Sequence, residues 1–135
     1  MSRQIESEKI VINCQAEKVY SFLGNFDNFE SLLPEQVSDW QSTGNSCSFE
    51  VKGLAKIGLR ITGKIPFAKI SMTGEGKLPF GFTFDALIQD LSSQQCQVQL
   101  VINADMNPFI AMMAEKPLRN FVDMLLPRLK LEMEK

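Results

Sequence analysis

The residue types that usually perform chemistry are scarce in this sequence. It contains no histidine, which removes the usual general base near neutral pH and the most common metal ligand. Its three cysteines, Cys14, Cys47 and Cys96, are widely spaced and form no C-x-x-C pattern, so no metal or redox motif is predicted. We interpret them as small hydrophobic residues, and an odd number of cysteines suits a reducing compartment.

The charged side chains that could act as acids or bases belong to the wrong face of the predicted strands. Asp85, Arg60 and Glu50 alternate with apolar residues, which assigns them to the solvent side of a sheet. The run Gly74-Glu75-Gly76 is not a nucleotide loop, because a third glycine is missing and no helix follows. We therefore predict no catalytic residue, no metal site and no cofactor.

The totals describe an ordinary globular chain. With 44% hydrophobic and 22% charged residues over 135 positions, we expect residues 1–135 to form one domain. A net charge of −2 argues against a nucleic-acid surface. The first ten residues, MSRQIESEKI, lack the apolar run of a signal peptide, and no stretch approaches the roughly 20 apolar residues of a membrane span. We expect a cytoplasmic protein, and the nearly neutral charge allows a homodimer through a free strand edge.

The longest predicted element is the last fifth of the chain, 107–135. Asn107 can cap a helix there, and Pro108 stands at the first helical position. The helix is predicted to be amphipathic, with an apolar side made of Ile110, Met113, Ala114, Pro117, Leu118, Phe121, Val122, Leu125 and Leu129. The interior prolines predict either a curved helix or two or three shorter pieces.

The rest of the chain is predicted to form a sheet that packs on this helix. A first strand is expected over Gln4–Asn13, then a helix capped by Cys14 or Asn13 and ended by Gly24, and a second short helix over Asp27–Leu33. From Val37 to Ala104 the apolar period changes to two, and short turns separate the runs. This pattern predicts an antiparallel meander of about six strands.

The order of these elements resembles the START-like, or Bet v 1-like, helix-grip superfamily (SRPBCC), which includes polyketide cyclases and plant allergens. The stretches IVINCQAEKVYSFLGNFDNFESLLP and NPFIAMMAEKPLRNFVDMLLPRL are similar to the opening and closing of its small bacterial members. The resemblance implies an α+β fold: a strongly curved antiparallel sheet of about seven strands, two short helices after the first, and a long C-terminal helix on the concave face. It also implies a hydrophobic cavity between sheet and helix. No catalytic motif is shared across the superfamily, so no functional residue is transferred.

A ligand site is predicted on the inward face of the strands and on the helix. By alternation Gly63, Gly74 and Gly76 fall on the inward face, which would leave room for a ligand; the alternative is that they mark bends of a curved sheet. Methionines on the helix would suit apolar ligands of varied shape, although such a stripe is more often plain core. The predicted ligand-binding residues are Ile61, Gly63, Met72, Gly74, Gly76, Phe82, Phe84, Leu100, Met113, Pro117 and Phe121.

Three functions are compatible with this pattern. The first is binding of a small apolar molecule or lipid in the cavity. The second is an enzyme of the cyclase or hydratase type, which would need a buried Asp, Glu or Arg with a shifted pKa in the cavity. The third is a co-chaperone-like interaction module, which an exposed apolar patch would favour.

Overall fold

The structure, a computed structural model, describes residues 2–33, 37–51, 55–75 and 80–135. Its strands form one antiparallel sheet in the order β1-β8-β7-β6-β5-β4-β3, and β2 also pairs with β8. The strands are β1 Ser2–Glu6, β2 Ile10–Ile12, β3 Val37–Ser42, β4 Ser46–Val51, β5 Ala55–Ile65, β6 Lys69–Glu75, β7 Phe82–Ser92 and β8 Gln95–Asp105. The helices are α1 Ala16–Leu23, a 3-10 helix Phe26–Leu32, and α2 Pro108–Met133.

This architecture confirms the predicted α+β helix-grip fold. The two short helices follow the first strands, and the long helix follows the last strand and packs against the curved sheet. The core lies between the two layers, because the inward residues of the central strands and one side of α2 are buried together. Any interior site must therefore be built from these two surfaces.

The predicted first strand is two strands, separated at Ser7. The Ser7 backbone N–H donates to the Leu100 carbonyl at 2.9 Å, and the Leu100 N–H donates to the Ser7 hydroxyl at 2.8 Å. A side-chain oxygen thus replaces a backbone carbonyl in the ladder. Pairing resumes at Ile10 opposite Val98, one residue out of the earlier register.

The C-terminal helix begins where the sequence predicts. The Asn107 side chain accepts from the Ile110 N–H at 2.8 Å, and Pro108 is the first helical residue. α2 runs for 26 residues with Pro117 and Pro127 inside it, so the alternative of several shorter pieces is wrong. Its buried side is made of Ala111, Ala114, Leu118, Phe121, Val122, Leu125, Leu126 and Leu129.

The predicted apolar side of α2 is rotated too far toward solvent in its first turns. Met113 is expected to face the sheet, but its side chain is 62% exposed, and Pro117 is only half-buried. The sheet-facing position in this part of the helix belongs to Ala111 instead. A methionine next to alanines makes the wrong side look more hydrophobic.

A bulge in β5 overturns the inward placement of Gly63. Ile61 pairs with Met72, but the next pair is Gly63 with Ser71, so one extra residue lies on β5. Beyond the bulge the alternation is reversed, because residues directly opposite in an antiparallel pair share a face. Gly63 and Ile65 are consequently exposed. The interpretation of Gly63 as a bend is the one that the structure supports.

Candidate functional site

The candidate site is the interior between the concave face of the sheet and α2. Among the described residues this interior contains a void of about 10 Å³, roughly the room of one water molecule. The void is lined by Phe49, Val51, Ile57, Leu59, Phe82, Phe84, Ile102, Leu118 and Phe121. These are all apolar side chains, so the space is greasy and nearly filled.

Aromatic rings run through this interior from the 3-10 helix to α2. Phe29 lies nearly parallel to Trp40 with ring centroids 6.1 Å apart, and Trp40 stacks on Phe49 at 5.5 Å. Phe49 in turn stacks on Phe121 of α2 at 5.7 Å, and Phe121 meets the edge of Phe84 at 6.2 Å. Offset and edge-on contacts of this kind are the favoured arrangements of aromatic pairs. These rings therefore fill the interior by packing on one another.

The gap predicted at Gly74 is present but occupied. A Cβ atom added to Gly74 would lie 2.3 Å from Cε1 of Phe82. The Phe82 ring therefore fills the space that the glycine leaves on the inward face.

The predicted ligand-binding residues divide into three groups. Phe82, Phe84 and Phe121 line the void. Four others lie in or beside the same core without lining it: the buried Met72 and Leu100, Gly74 under the Phe82 ring, and Ile61 packed against the core. Gly63, Met113 and Pro117 do not line it, and Gly76 lies outside the described residues.

Six lining residues are absent from the predicted set. They are Phe49, Val51, Ile57, Leu59, Ile102 and Leu118. All six carry an available signal, since alternation along β4, β5 and β8 and the helical period of α2 place them on the inward side. Sequence alone could not show which inward residues meet at the void, because that depends on how the sheet curves.

The interior has no titratable group on its described lining. Burial raises the pKa of Cys47 to about 12 and that of Cys96 to about 11, so both thiols stay protonated near neutral pH. The pKa of Glu134 is lowered, chiefly by a hydrogen bond from Lys130 and then by the Asn13 N–H. Glu134 lies at the far end of α2 and does not belong to the site.

The other features of the described chain add nothing to this interior site. An open hollow of about 640 Å³ lies mostly over the outer face of β3 to β6, with polar residues such as Ser48 and Glu75. Within the described ranges, no cluster of three or more His, Cys, Asp or Glu side chains could hold a metal ion. None of the described helices has the length and apolarity needed to cross a bilayer.

A comparison with protein families identifies the chain. The model of CoxG, a family of carbon monoxide dehydrogenase subunits, matches residues 9–134. This chain belongs to the CoxG family. No curated protein matches the sequence.

Solved structures share the fold of this CoxG-family chain. Norcoclaurine synthase from Thalictrum flavum, in complex with dopamine and hydroxybenzaldehyde, has a TM-score of 0.75 at 8% identity, covering 100% of this chain and 90% of that chain. A START superfamily protein from Mycobacterium smegmatis has a TM-score of 0.71 at 11% identity, covering 97% of each chain. The di-domain ARO/CYC BexL from the BE-7585A biosynthetic pathway has a TM-score of 0.72 at 17% identity, covering 96% of this chain and 45% of that chain. With the family match, these likenesses confirm the START-like, Bet v 1-like assignment.

Proposed function

We propose that this CoxG-family chain binds a small apolar molecule or lipid between the sheet and α2. The observation that carries the proposal is the described lining of the interior, which consists of nine apolar residues and includes four phenylalanine rings, those of Phe49, Phe82, Phe84 and Phe121. Ligand sites are typically lined by apolar side chains with few polar groups, but they occupy about 300–1,000 Å³, so this nearly filled interior must open to take a ligand. The norcoclaurine synthase with dopamine and hydroxybenzaldehyde supports the idea that this fold can hold aromatic molecules.

Room for a ligand would come from movement of the first turns of α2. Ile110 is partly buried against the core, and the fully buried side chains of residues 108–116 are those of Ala111 and Ala114. Each contributes one methyl group, worth about 0.8 kcal/mol when buried. Separation of this segment from the sheet therefore costs far less than separation of the leucine-rich part that follows.

Pro117 supplies a hinge at the end of that segment. Proline has no backbone N–H, so the Met113 carbonyl one turn earlier loses its helical partner. Missing hydrogen bonds of this kind are a common cause of helix bending. Since Leu118 and Phe121 line the void directly after the hinge, outward movement of 108–116 would open the interior at that place.

The enzymatic alternative receives less support from the site. A cyclase or hydratase would need an acid, a base or an arginine beside its substrate. The nine described lining residues are apolar, and we therefore favour binding over catalysis.

A second candidate function is docking onto a carbon monoxide dehydrogenase. The family is named after that enzyme, and Phe109, Met112 and Met113 are 72%, 83% and 62% exposed on one side of α2. Exposed apolar clusters commonly mark protein contacts. Size-exclusion chromatography with a purified carbon monoxide dehydrogenase should show a complex that Met112→Glu disrupts, and co-elution unaffected by Met112→Glu would argue against this surface.

We also propose a cytoplasmic location. It is supported by the three cysteines, which are all free, as is usual in reducing compartments. A homodimer through the free edge of the first strand, β1, which lies at one end of the sheet, stays a prediction.

Three measurements test the binding proposal. Native mass spectrometry of the freshly purified protein comes first, then solvent extraction, and then titration with 2-isopropenylnaphthalene, a neutral aromatic hydrocarbon. We expect an added mass that is lost on denaturation, or saturable binding of the probe to protein purified without ligand. A native mass equal to that of the chain alone, together with no saturable binding of the probe, would overturn the proposal.

A further inference from the structure

A positively charged side chain lies on the inward face of the sheet, at the end where α2 begins. Along β1, Arg3 is half-buried, Gln4 is exposed and Ile5 is fully buried, so Arg3 shares the inward face with Ile5. Arg3 pairs with Ala104, which is 2% exposed, and residues directly opposite in an antiparallel pair share a face. Arg3 is therefore an exception to the apolar character of this face.

The guanidinium group of Arg3 has a buried donor without a partner. Nε of Arg3 is buried, and no described residue offers it an acceptor. The ion pairs among the described residues, such as Arg60 with Glu75, do not include Arg3 either. Arginine usually buries only its stem and keeps the charged head in water, so a buried and unpaired Nε is unfavourable. An acceptor supplied from outside the chain would remove this cost.

Arg3 belongs to the same row of the sheet as a residue that lines the void. Ala104 pairs with Arg3 on one side and with Phe82 on the other, and Phe82 lines the void. Neighbouring strands lie about 4.8 Å apart, which places the backbones of Arg3 and Phe82 roughly 10 Å from each other. Ala104 presents a single methyl group, so no large side chain of this row lies between Arg3 and Phe82.

Arg3 also lies beside the part of α2 that the proposed function requires to move. Only two residues separate the end of β8 from Pro108, the first residue of α2, and α2 packs against β1. The last turns of α2 reach Val11, whose carbonyl accepts from Lys130. The helix therefore begins beside Arg3 and runs toward β2. Outward movement of its first turns would uncover Arg3 and the Phe82 side of the interior together.

We propose that Arg3 binds a carboxylate group of the ligand at this end of the interior, while the apolar part of the ligand lies toward Phe82. The inference rests on the proposed function and specifies its ligand class, an apolar molecule with one acidic end. Two parallel hydrogen bonds from a guanidinium group match the two oxygens of a carboxylate. One carboxylate also carries one negative charge, which one arginine neutralises, whereas a phosphate monoester carries close to two.

Two probes of similar shape test this assignment. 2-Naphthoate carries a carboxylate where 2-isopropenylnaphthalene carries a C(CH₃)=CH₂ group, so only the first offers charged acceptor oxygens. Both are titrated into the wild type and into Arg3→Met, which keeps an unbranched apolar stem and removes the guanidinium group. Arg60→Met is the matched control, because it removes the same charge from a side chain that is 58% exposed.

Arg3→Met should weaken binding of 2-naphthoate about tenfold or more, the usual effect of a hydrogen bond to a charged group, and change binding of the hydrocarbon less than about twofold. Arg60→Met should leave both affinities within about twofold of the wild type, because salt screens a distant exposed charge. Equal changes for both probes in Arg3→Met, or binding of the hydrocarbon alone by the wild type, would overturn the Arg3 assignment and leave the proposed function intact. If neither probe binds the wild type, both proposals fail.

The Nε–H signal of Arg3 provides a second readout. It is assigned in a ¹H–¹⁵N spectrum as the arginine signal that Arg3→Met removes, and it should move with 2-naphthoate but not with the hydrocarbon. Arg3→Met should unfold at no lower urea concentration than the wild type, because it removes a buried donor without a partner. A signal that 2-naphthoate leaves in place would contradict the assignment, and unfolding of Arg3→Met at a clearly lower urea concentration would show that Arg3 has a structural role instead.

Discussion

The two ends of α2 are attached to the rest of the protein in different ways. The C-terminal part buries six large apolar side chains: Leu118, Phe121, Val122, Leu125, Leu126 and Leu129. Polar contacts add to this attachment, since Arg128 donates to the Leu33 carbonyl at 3.1 Å and Lys130 donates to the Val11 carbonyl at 3.0 Å. The first turns bury Ala111 and Ala114 and expose the larger Phe109, Met112 and Met113.

This difference indicates an anchored end and a releasable end. Local opening requires the fewest broken contacts where little apolar surface is buried. The void lies beside the releasable end, because its helix residues Leu118 and Phe121 directly follow Pro117. A ligand that enters at this end would meet Leu118 and Phe121, the first buried residues of the anchored part.

The largest expected effect is loss of stability in the anchored part. Leu125 is 2% exposed, so Leu125→Ala should lower the free energy of unfolding by about 2–5 kcal/mol, from lost burial and the cavity left behind. Met112→Ala, at an exposed position of the releasable part, should change it by less than about 0.5 kcal/mol. Urea denaturation measures both. Similar losses for the two variants would remove the distinction between the ends.

A smaller effect is expected from repairing the hinge. Pro117→Ala restores an N–H donor for the Met113 carbonyl, which should raise the free energy of unfolding by about 3 kcal/mol. About 1 kcal/mol of this gain is lost, because the unfolded chain becomes more flexible without the proline. The substitution should also slow amide exchange in 112–116 and slow association of 2-isopropenylnaphthalene. Pro127→Ala is the matched control in the anchored part and should leave the association rate unchanged. Equal slowing by both variants would show that Pro117 is not the hinge.

The smallest effect concerns the last turn of α2. Hydrogen bonds from Lys130 and from the Asn13 N–H hold the pKa of Glu134 below its ordinary value of 4.5. Because the folded pKa is the lower one, this stabilisation is present above the ordinary value and is lost as the pH falls through the folded value. Glu134→Gln should therefore lower stability slightly at neutral pH, where the carboxylate is charged, and flatten the decline of stability below about pH 4.5. Thermal unfolding of both proteins across this pH range is the measurement. A decline as steep in Glu134→Gln as in the wild type would show that the carboxylate is irrelevant.

The sequence predicts the large elements of this fold for clear physical reasons. Asn107 and Pro108 mark the start of α2, and the alternation of Cys47, Phe49 and Val51 marks the buried face of β4. Local periodicity is sufficient here because each element has one buried side. The apolar interior forms where the buried side of the sheet faces the buried side of α2.

The details of the candidate site depend on features that periodicity does not encode. A bulge after Ile61 moves Gly63 to the outside, and a bulge at Asp39 turns Trp40 inward. Gly63 within a strand is a weak signal for the first bulge, whereas an aspartate before a tryptophan gives no comparable signal for the second. The ring of Phe82 over Gly74 is a tertiary contact, and sequence spacing cannot show that a predicted gap is filled.

The central claim, that an apolar ligand binds between the sheet and α2, is tested most directly by intermolecular NOEs from bound 2-isopropenylnaphthalene to assigned methyl groups. The account predicts NOEs to the methyl groups of Ile102 and Leu118, which line the void. NOEs confined to Met112 and Met113 on the exposed side of α2 would place the probe on the surface and contradict it.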